Sequence, residues 1–342
     1  MQPRTLSPRT SLIAISVLLL TACAGPSDSQ QADPSVSASE APTMPSLTFA
    51  FTSDTPVATR KLAGHDESWM NPGAIIERDG ELHMFANVFS QWPGQVTFPH
   101  LVSTDGQTWT RADSSPAFSS GDIPFVDNGA DVSGGYIAAD GTWVLVFETV
   151  EASDPWVLGR ATAPGPDGPW TIDPEPILTP GPSGSFDAGG LQWPSVVHTD
   201  DGYLMYFTAI DRLGGSGSIG LATSFDGLTW TKHDGPVLAA EADWERGQLD
   251  RPRVAVTPRG LAMVYAGGRL TDRGLAWSDD GISWQRDGQL PIITRDSYPI
   301  SGNAWDAALV YRDGALDYYL EIGSASGASP STDVFLATAA VP

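Results

Sequence analysis

Cysteine is almost absent from this chain of 342 residues: Cys23 is the only one. A disulfide framework and a cysteine-based metal cluster are therefore excluded. Basic residues are also scarce, 18 Lys and Arg against 41 Asp and Glu, for a formal net charge of −23. Nucleic acid and anionic lipid surfaces need positive patches, so both are poor partners. A neutral or cationic ligand, or a divalent cation, remains compatible. No apolar run is long enough to span a bilayer; the longest, Leu12 to Leu20, falls well short. After residue 46 almost no stretch has a 3.6-residue apolar period, which argues against helices. There is no Gly-x-Ser-x-Gly elbow, no His-Glu-x-x-His pair and no phosphate-binding glycine loop. The five histidines are scattered, and His83 falls inside an apolar strand pattern that suits a structural role.

The amino terminus reads as a targeting segment. Arg4 and Arg9 precede the apolar run, which ends in Leu20-Thr-Ala-Cys23. That ending resembles the lipobox of bacterial lipoproteins. The resemblance implies cleavage before Cys23, a lipid on Cys23, and an extracytoplasmic protein held at a membrane through that lipid alone. Loss of Arg4 and Arg9 takes the charge from −23 to −25. Residues 23–45 are Ser, Ala, Pro, Gln, Asp and Glu without apolar period, as in a disordered tether. Residues 46–342 are expected to fold as one domain and to act as a monomer.

That domain is a repeat. Asp-Gly or equivalent turns recur at Gly80, Gly141, Gly202, Gly260 and Gly314, at steps of 61, 61, 58 and 54 residues. Eight residues before each glycine stand Pro72, Ser133, Pro194, Pro252 and Asp306. Each turn joins two alternating runs that read as strands, and a third strand follows. In three copies the third strand leads into Ser-x-Asp-Gly-x-Thr/Ser-Trp: Ser103 to Trp109, Ser224 to Trp230 and Ser278 to Trp284. A fourth turn, Pro166-Asp-Gly-Pro-Trp170, lacks the serine. Four-stranded antiparallel units of this kind, set radially, make an all-β five-bladed β-propeller. The fifth copy ends after three strands. The free segment Leu47 to Phe51 is expected to supply its outer strand and close the ring. The Ser-x-Asp-Gly turns resemble the Asp boxes of sialidases, which implies a structural role away from any active face. A sialidase would also need an arginine cluster for its substrate's carboxylate, and only Arg251 and Arg253 lie together near the rim.

In such a ring the inner strands surround a channel. The start of each inner strand lies beside the end of the second, so one rim collects Asn71, Asp131, Glu148, Gln192, Trp193, Asp250, Arg251, Trp305, Asp306 and Glu321. Trp69 and Trp92 are loop contributors to the same rim. Indole faces stack on the C–H surface of sugars, and carboxylates take their hydroxyls. Paired carboxylates are also what glycoside hydrolysis requires.

The inner-strand pattern and Asp-Gly-x-x-Trp turns, with Phe186-Asp-Ala-Gly-Gly-Leu-Gln-Trp-Pro-Ser-Val-Val197, are similar to the arabinanase/levansucrase/invertase superfamily. Its members include glycoside hydrolase families 43 and 32. The resemblance covers about residues 46 to 342 and implies a glycosidase acting on an extracellular glycan. Family 43 places a base Asp where this chain has Asn71, a second Asp where it has Trp193, and a general acid Glu where it has Asp250. Trp69-Met-Asn-Pro72 is similar to the family 32 motif Trp-Met-Asn-Asp-Pro without its nucleophilic Asp. A neutral amide cannot serve as the base, so Asn71 does not. Asp250 is then the expected acid, with Asp131, Asp306 or Asp187 as its partner, and Trp193 and Trp305 as sugar platforms. Asn71, Gln192, Arg251, Glu148 and Glu321 are the expected substrate contacts. The replaced aspartates leave a non-catalytic carbohydrate-binding lipoprotein as the alternative. No cofactor is demanded; calcium would suit the plentiful oxygen ligands, but no loop has calcium-ligand spacing.

Overall fold

A computed structural model describes residues 46–64, 69–149, 155–268, 270–324 and 331–342. The expected signal segment, Cys23 and the tether lie outside the described residues. The chain forms five antiparallel blades. The inner strands are Trp69–Arg78, Ala130–Ile137, Gly190–Thr199, Leu249–Thr257 and Asn303–Arg312. Their hairpin partners are Glu81–Phe89, Trp143–Thr149, Gly202–Ile210, Gly260–Gly267 and Ala315–Ser324. Blades 2, 3 and 4 are continuous four-stranded meanders. In blade 1, Pro99 divides the third strand into Val96–Phe98 and His100–Ser103, and Val96–Phe98 pairs with the added strand Phe118–Ser119.

The ring closes as the free N-terminal segment suggests. Ala50 and Phe51 pair antiparallel with Thr338 and Ala337 on the outer edge of blade 5. Leu47 and Phe49 are buried in the core between blades 4 and 5. The Leu47 N–H donates to Asp287 Oδ2 at 2.9 Å, which latches the segment to blade 4.

The core lies between blades. The apolar residues form five clusters, one for each interface around the ring. Successive side chains of a strand point to opposite faces, so one strand serves two interfaces. Trp143, Leu145 and Phe147 pack against blade 1, whereas Val144 and Val146 pack against blade 3. This explains why the second strands read as continuous apolar runs.

The three complete Asp boxes are blade ties. In each, the serine hydroxyl donates to the Asp two residues on and accepts the glycine N–H. The Asp Oδ1 accepts the next two backbone N–H groups at 2.7–2.8 Å. Those amides hold the Asp105 and Asp226 carboxyls down at about 2. A tyrosine hydroxyl from the neighbouring blade donates to each box glycine: Tyr319 to Gly106, Tyr136 to Gly227 and Tyr206 to Gly281.

Candidate active site

Every inner strand carries an extra residue at the rim, where register with its partner shifts. The shifts fall between Asn71 and Ala74, Val132 and Gly134, Gln192 and Ser195, Asp250 and Arg253, and Ala304 and Ala307. Such bulges break pairing and re-aim side chains. Here they surround a cavity of about 330 Å³ at one end of the channel.

Its walls are aromatic. Trp69, Phe89 and Trp92 come from blade 1, Trp156 from blade 2, Trp193 from blade 3 and Trp305 from blade 5. Trp69 meets Trp305 edge-on at 5.4 Å and lies parallel to Phe89 at 6.2 Å. Trp193 sits edge-on to Trp156 at 6.0 Å. Its other neighbour is Arg251, whose guanidinium lies 3.7 Å from the indole centroid. Trp193 and Arg251 have φ of +48° and +49°, a region that bulky residues rarely adopt. Each costs roughly 1–3 kcal/mol, and strain of this kind clusters at functional sites. Trp193 therefore meets the cavity with one of its faces stacked against a cation.

The polar lining is Asn71, Asp131, Arg251, Asp306 and Glu321. Asp131 is 5 % exposed, and its Oδ1 has no hydrogen-bond partner among the described residues. Burial, with Glu148, Asp306 and Glu321 nearby, holds its carboxyl well above the usual range. Asp306 pairs with the Arg253 guanidinium at 2.5 Å, and its Oδ1 also accepts the Ala307 N–H. Asp306 Oδ2 is buried without a partner. Glu321 accepts the Asp306 N–H at 3.1 Å, and burial pushes its carboxyl up to about 8. Asn71 is committed on its oxygen, which accepts from Asn87 at 2.6 Å and from the Gly73 N–H. Asn87 in turn donates to the Val132 carbonyl and accepts its N–H, so the two amides clamp blade 1 to blade 2.

Three of the expected site residues stand behind this lining. Asp250 Oδ1 accepts the Thr208 hydroxyl and the Arg251 N–H, and its Oδ2 accepts Arg251 Nη1 at 3.2 Å. Burial raises its carboxyl, but both oxygens are occupied. Glu148 pairs across the strands with Asp131 and accepts the Ser133 hydroxyl at 3.0 Å. Burial, then the charge of Asp306, pushes it up to about 8. Gln192 is buried where the blade 3 register is still regular. Asp187 lies outside the cavity lining, ion-paired with Lys232. Arg253, also behind the lining, donates to the carbonyls of Ala307, Trp193 and Pro252 and so ties blades 3, 4 and 5 together. Trp156 and Phe89 went unnoticed in the sequence. Trp156, just before the third strand of blade 2, is the one whose position could have drawn attention.

No family model matches the chain, and no curated protein matches it. Solved structures do. A family 117 glycoside hydrolase produced by the marine bacterium Zobellia galactanivorans superposes with a TM-score of 0.64 and 14 % identity, over 86 % of this chain and 90 % of that one. A glycosyl hydrolase from Bacteroides ovatus gives 0.61 and 16 %, over 87 % and 95 %. A third gives 0.62 and 17 %, over 90 % and 98 %. Its description places it in family 130, mannoside phosphorylases among which are glycoside hydrolases that target β-1,2-mannosidic linkages in Candida mannan. The fold is one used by glycoside hydrolases. At these identities the likeness concerns the fold, and the chemistry must be argued from the cavity.

Proposed function

We propose that the cavity is the active site of a glycoside hydrolase acting on an extracellular glycan. The observation that carries this is the convergence of three buried carboxylates on an indole-walled cavity. Asp131 stands on blade 2 and Asp306 on blade 5, with blade 1 between them. A glycosidase needs one carboxylic acid to protonate the leaving oxygen and one carboxylate to assist attack. Asp131, whose carboxyl retains its proton through burial, is the acid. Asp306, paired with Arg253 and with Oδ2 free of a hydrogen-bond partner, is the carboxylate that receives the proton of the attacking water. Glu321 fixes the backbone of Asp306. These roles move the catalytic pair away from the positions that family 43 uses. Asp250 then acts through Arg251, which it holds against Trp193.

The wider setting is that of a monomeric lipoprotein anchored through Cys23, which presents the propeller to glycans outside the cytoplasm. The lipobox-like ending, the tether composition and the acidity support this. Globomycin treatment of expressing cells tests it: the unprocessed precursor should accumulate, and Cys23→Ser should behave the same way.

The committed Asn71 favours a second reading, a carbohydrate-binding protein without turnover. Sugar release from a panel of arabinans, xylans, fructans and bacterial wall glycans separates the two. Hydrolysis that Asp131→Asn and Asp306→Asn abolish supports the enzyme. Saturable binding with no release supports the binder.

A further inference from the structure

The proposed mechanism uses one proton, yet the site holds more acid than that. Asp131, Glu148, Asp250, Asp306 and Glu321 are each at least nine-tenths buried. Three arginines face them among the described residues: Arg251 pairs with Asp250, Arg253 pairs with Asp306, and the buried Arg273, bound to the Trp305 carbonyl, acts on Asp250 and Asp306 through its charge. Asp131, Glu148 and Glu321 form no ion pair among the described residues, and the nearby charges of Arg251 and Arg253 do not outweigh their burial. A buried carboxylate without a counter-charge is costly and stays protonated instead. The carboxyls of these three groups are all raised. Asp131 and Glu321 both line the cavity, on blades 2 and 5, flanking Asn71 of blade 1. Asp131 Oδ1 and Asp306 Oδ2 are buried acceptors still without a donor. Trp69 and Trp305 also wall the cavity, and indole faces attract cations as well as sugar C–H groups.

We propose that the ligand of this cavity is an amino sugar, with its ammonium group set between Asp131 and Glu321 and its ring against the tryptophans. This rests on the cavity being a carbohydrate site, and it names the substrate class. The ammonium supplies the counter-charge and the donors that these carboxyls lack. Its arrival ionises Glu321, while Asp131 keeps the proton it gives to the leaving oxygen, so binding releases one proton to solvent. N-acetylation would remove the charge and add bulk where the carboxylates stand. The strong overall acidity of the chain draws a cationic sugar toward the rim.

The test is calorimetric titration of the full chain at about pH 6.5, where the sugar amines keep their proton. The probes are glucosamine, galactosamine and mannosamine, each beside its N-acetyl form and its neutral hexose. Each titration is run in two buffers of different ionisation enthalpy, which counts protons released. At least one amino sugar should bind ~10-fold or more tightly than both of its counterparts and release a proton. Glu321→Gln and Asp131→Asn should cut that preference to under ~3-fold. The proposal falls if no amino sugar binds, or if the neutral or N-acetyl forms bind as well. It also falls if binding leaves the proton count at zero, or if calcium chloride releases the same proton and excludes the sugars. Wild-type proton counts decide the matter even where a variant fails to fold. A chain that prefers amino sugars but cleaves no glycan would sink the hydrolase and leave this inference standing. Cleavage of neutral glycans without the preference would do the reverse.

Discussion

The Asp-box turns and the channel rim repeat the same backbone with opposite consequences for side chains. At Ser103, Ser224 and Ser278 the boxes reuse the same residues and the same hydrogen bonds. Each box binds its own loop and a tyrosine of the neighbouring blade, so its serine and aspartate are spent on structure. At the rim the bulge recurs in five blades, but the residues displayed there differ: Asn71, Asp131, Trp193, Arg251 and Trp305. Two of their polar atoms, Asp131 Oδ1 and Arg251 Nε, have no partner among the described residues. Where a repeat keeps its residues it is building the fold. Where it keeps the geometry and varies the residues, with polar atoms left unpaired, it is the place to look for chemistry.

The largest effect expected from this contrast is on turnover. Asp306→Asn or Asp131→Asn should lower kcat/KM on a cleaved glycan by ~10³-fold or more, and Asp131→Asn, which breaks no ion pair, should hold its melting temperature within a few degrees. A variant that keeps a tenth of its activity would move the chemistry elsewhere. Next, Arg253→Ala should cost about 3–5 kcal/mol in urea unfolding, since it strands the Asp306 carboxylate and three carbonyls in the interior. A cost under about 1 kcal/mol would mean that Arg253 does not hold blades 3, 4 and 5 together.

Glu148 gives a smaller, pH-dependent effect. Its folded-state value of about 8 lies above its ordinary 4.5, so the folded protein binds the proton more tightly than the unfolded chain. The stability this contributes is complete below about pH 4.5 and fades as pH rises through 8. Glu148→Gln should therefore match wild type near about pH 4.5 and exceed it by ~1–3 kcal/mol near pH 8.5 in urea titrations. Equal stability at both pH values would show that the carboxyl is not strained. Smallest is Tyr206→Phe, which removes one box tie, a 2.8 Å bond to the Gly281 carbonyl. It should cost about 0.5–1.5 kcal/mol and leave any activity untouched. A change in kcat would couple the boxes to the site and blur the contrast.

The fold was legible because its signals are local. An Asp-Gly turn between two apolar runs specifies a hairpin, and five of them at near-constant spacing specify a ring. The orphan Leu47 to Phe51 segment and the short fifth blade predicted each other. The cavity was less legible because bulge placement sets which residues face inward. In blades 3, 4 and 5 the extra residue turns Trp193, Arg251 and Trp305 into the cavity and leaves Gln192, Asp250 and Ala304 in regular pairing. In blade 2 the shift falls later, so Asp131 lines the cavity and Val132 packs in the core. A displacement of one residue exchanges the two faces of a strand, and hairpin spacing alone does not reveal it. The stacking of Arg251 on Trp193 was equally hidden, because it joins two blades at left-handed positions.

The most direct test of the central claim is sugar release by the purified chain from the glycan panel, followed by chromatography, with Asp131→Asn and Asp306→Asn in parallel. The account predicts a released sugar that disappears in both variants, while Asp131→Asn, which breaks no ion pair, keeps a melting temperature near that of wild type. Release that persists undiminished in both, or saturable binding of a glycan with no release by wild type, would contradict it.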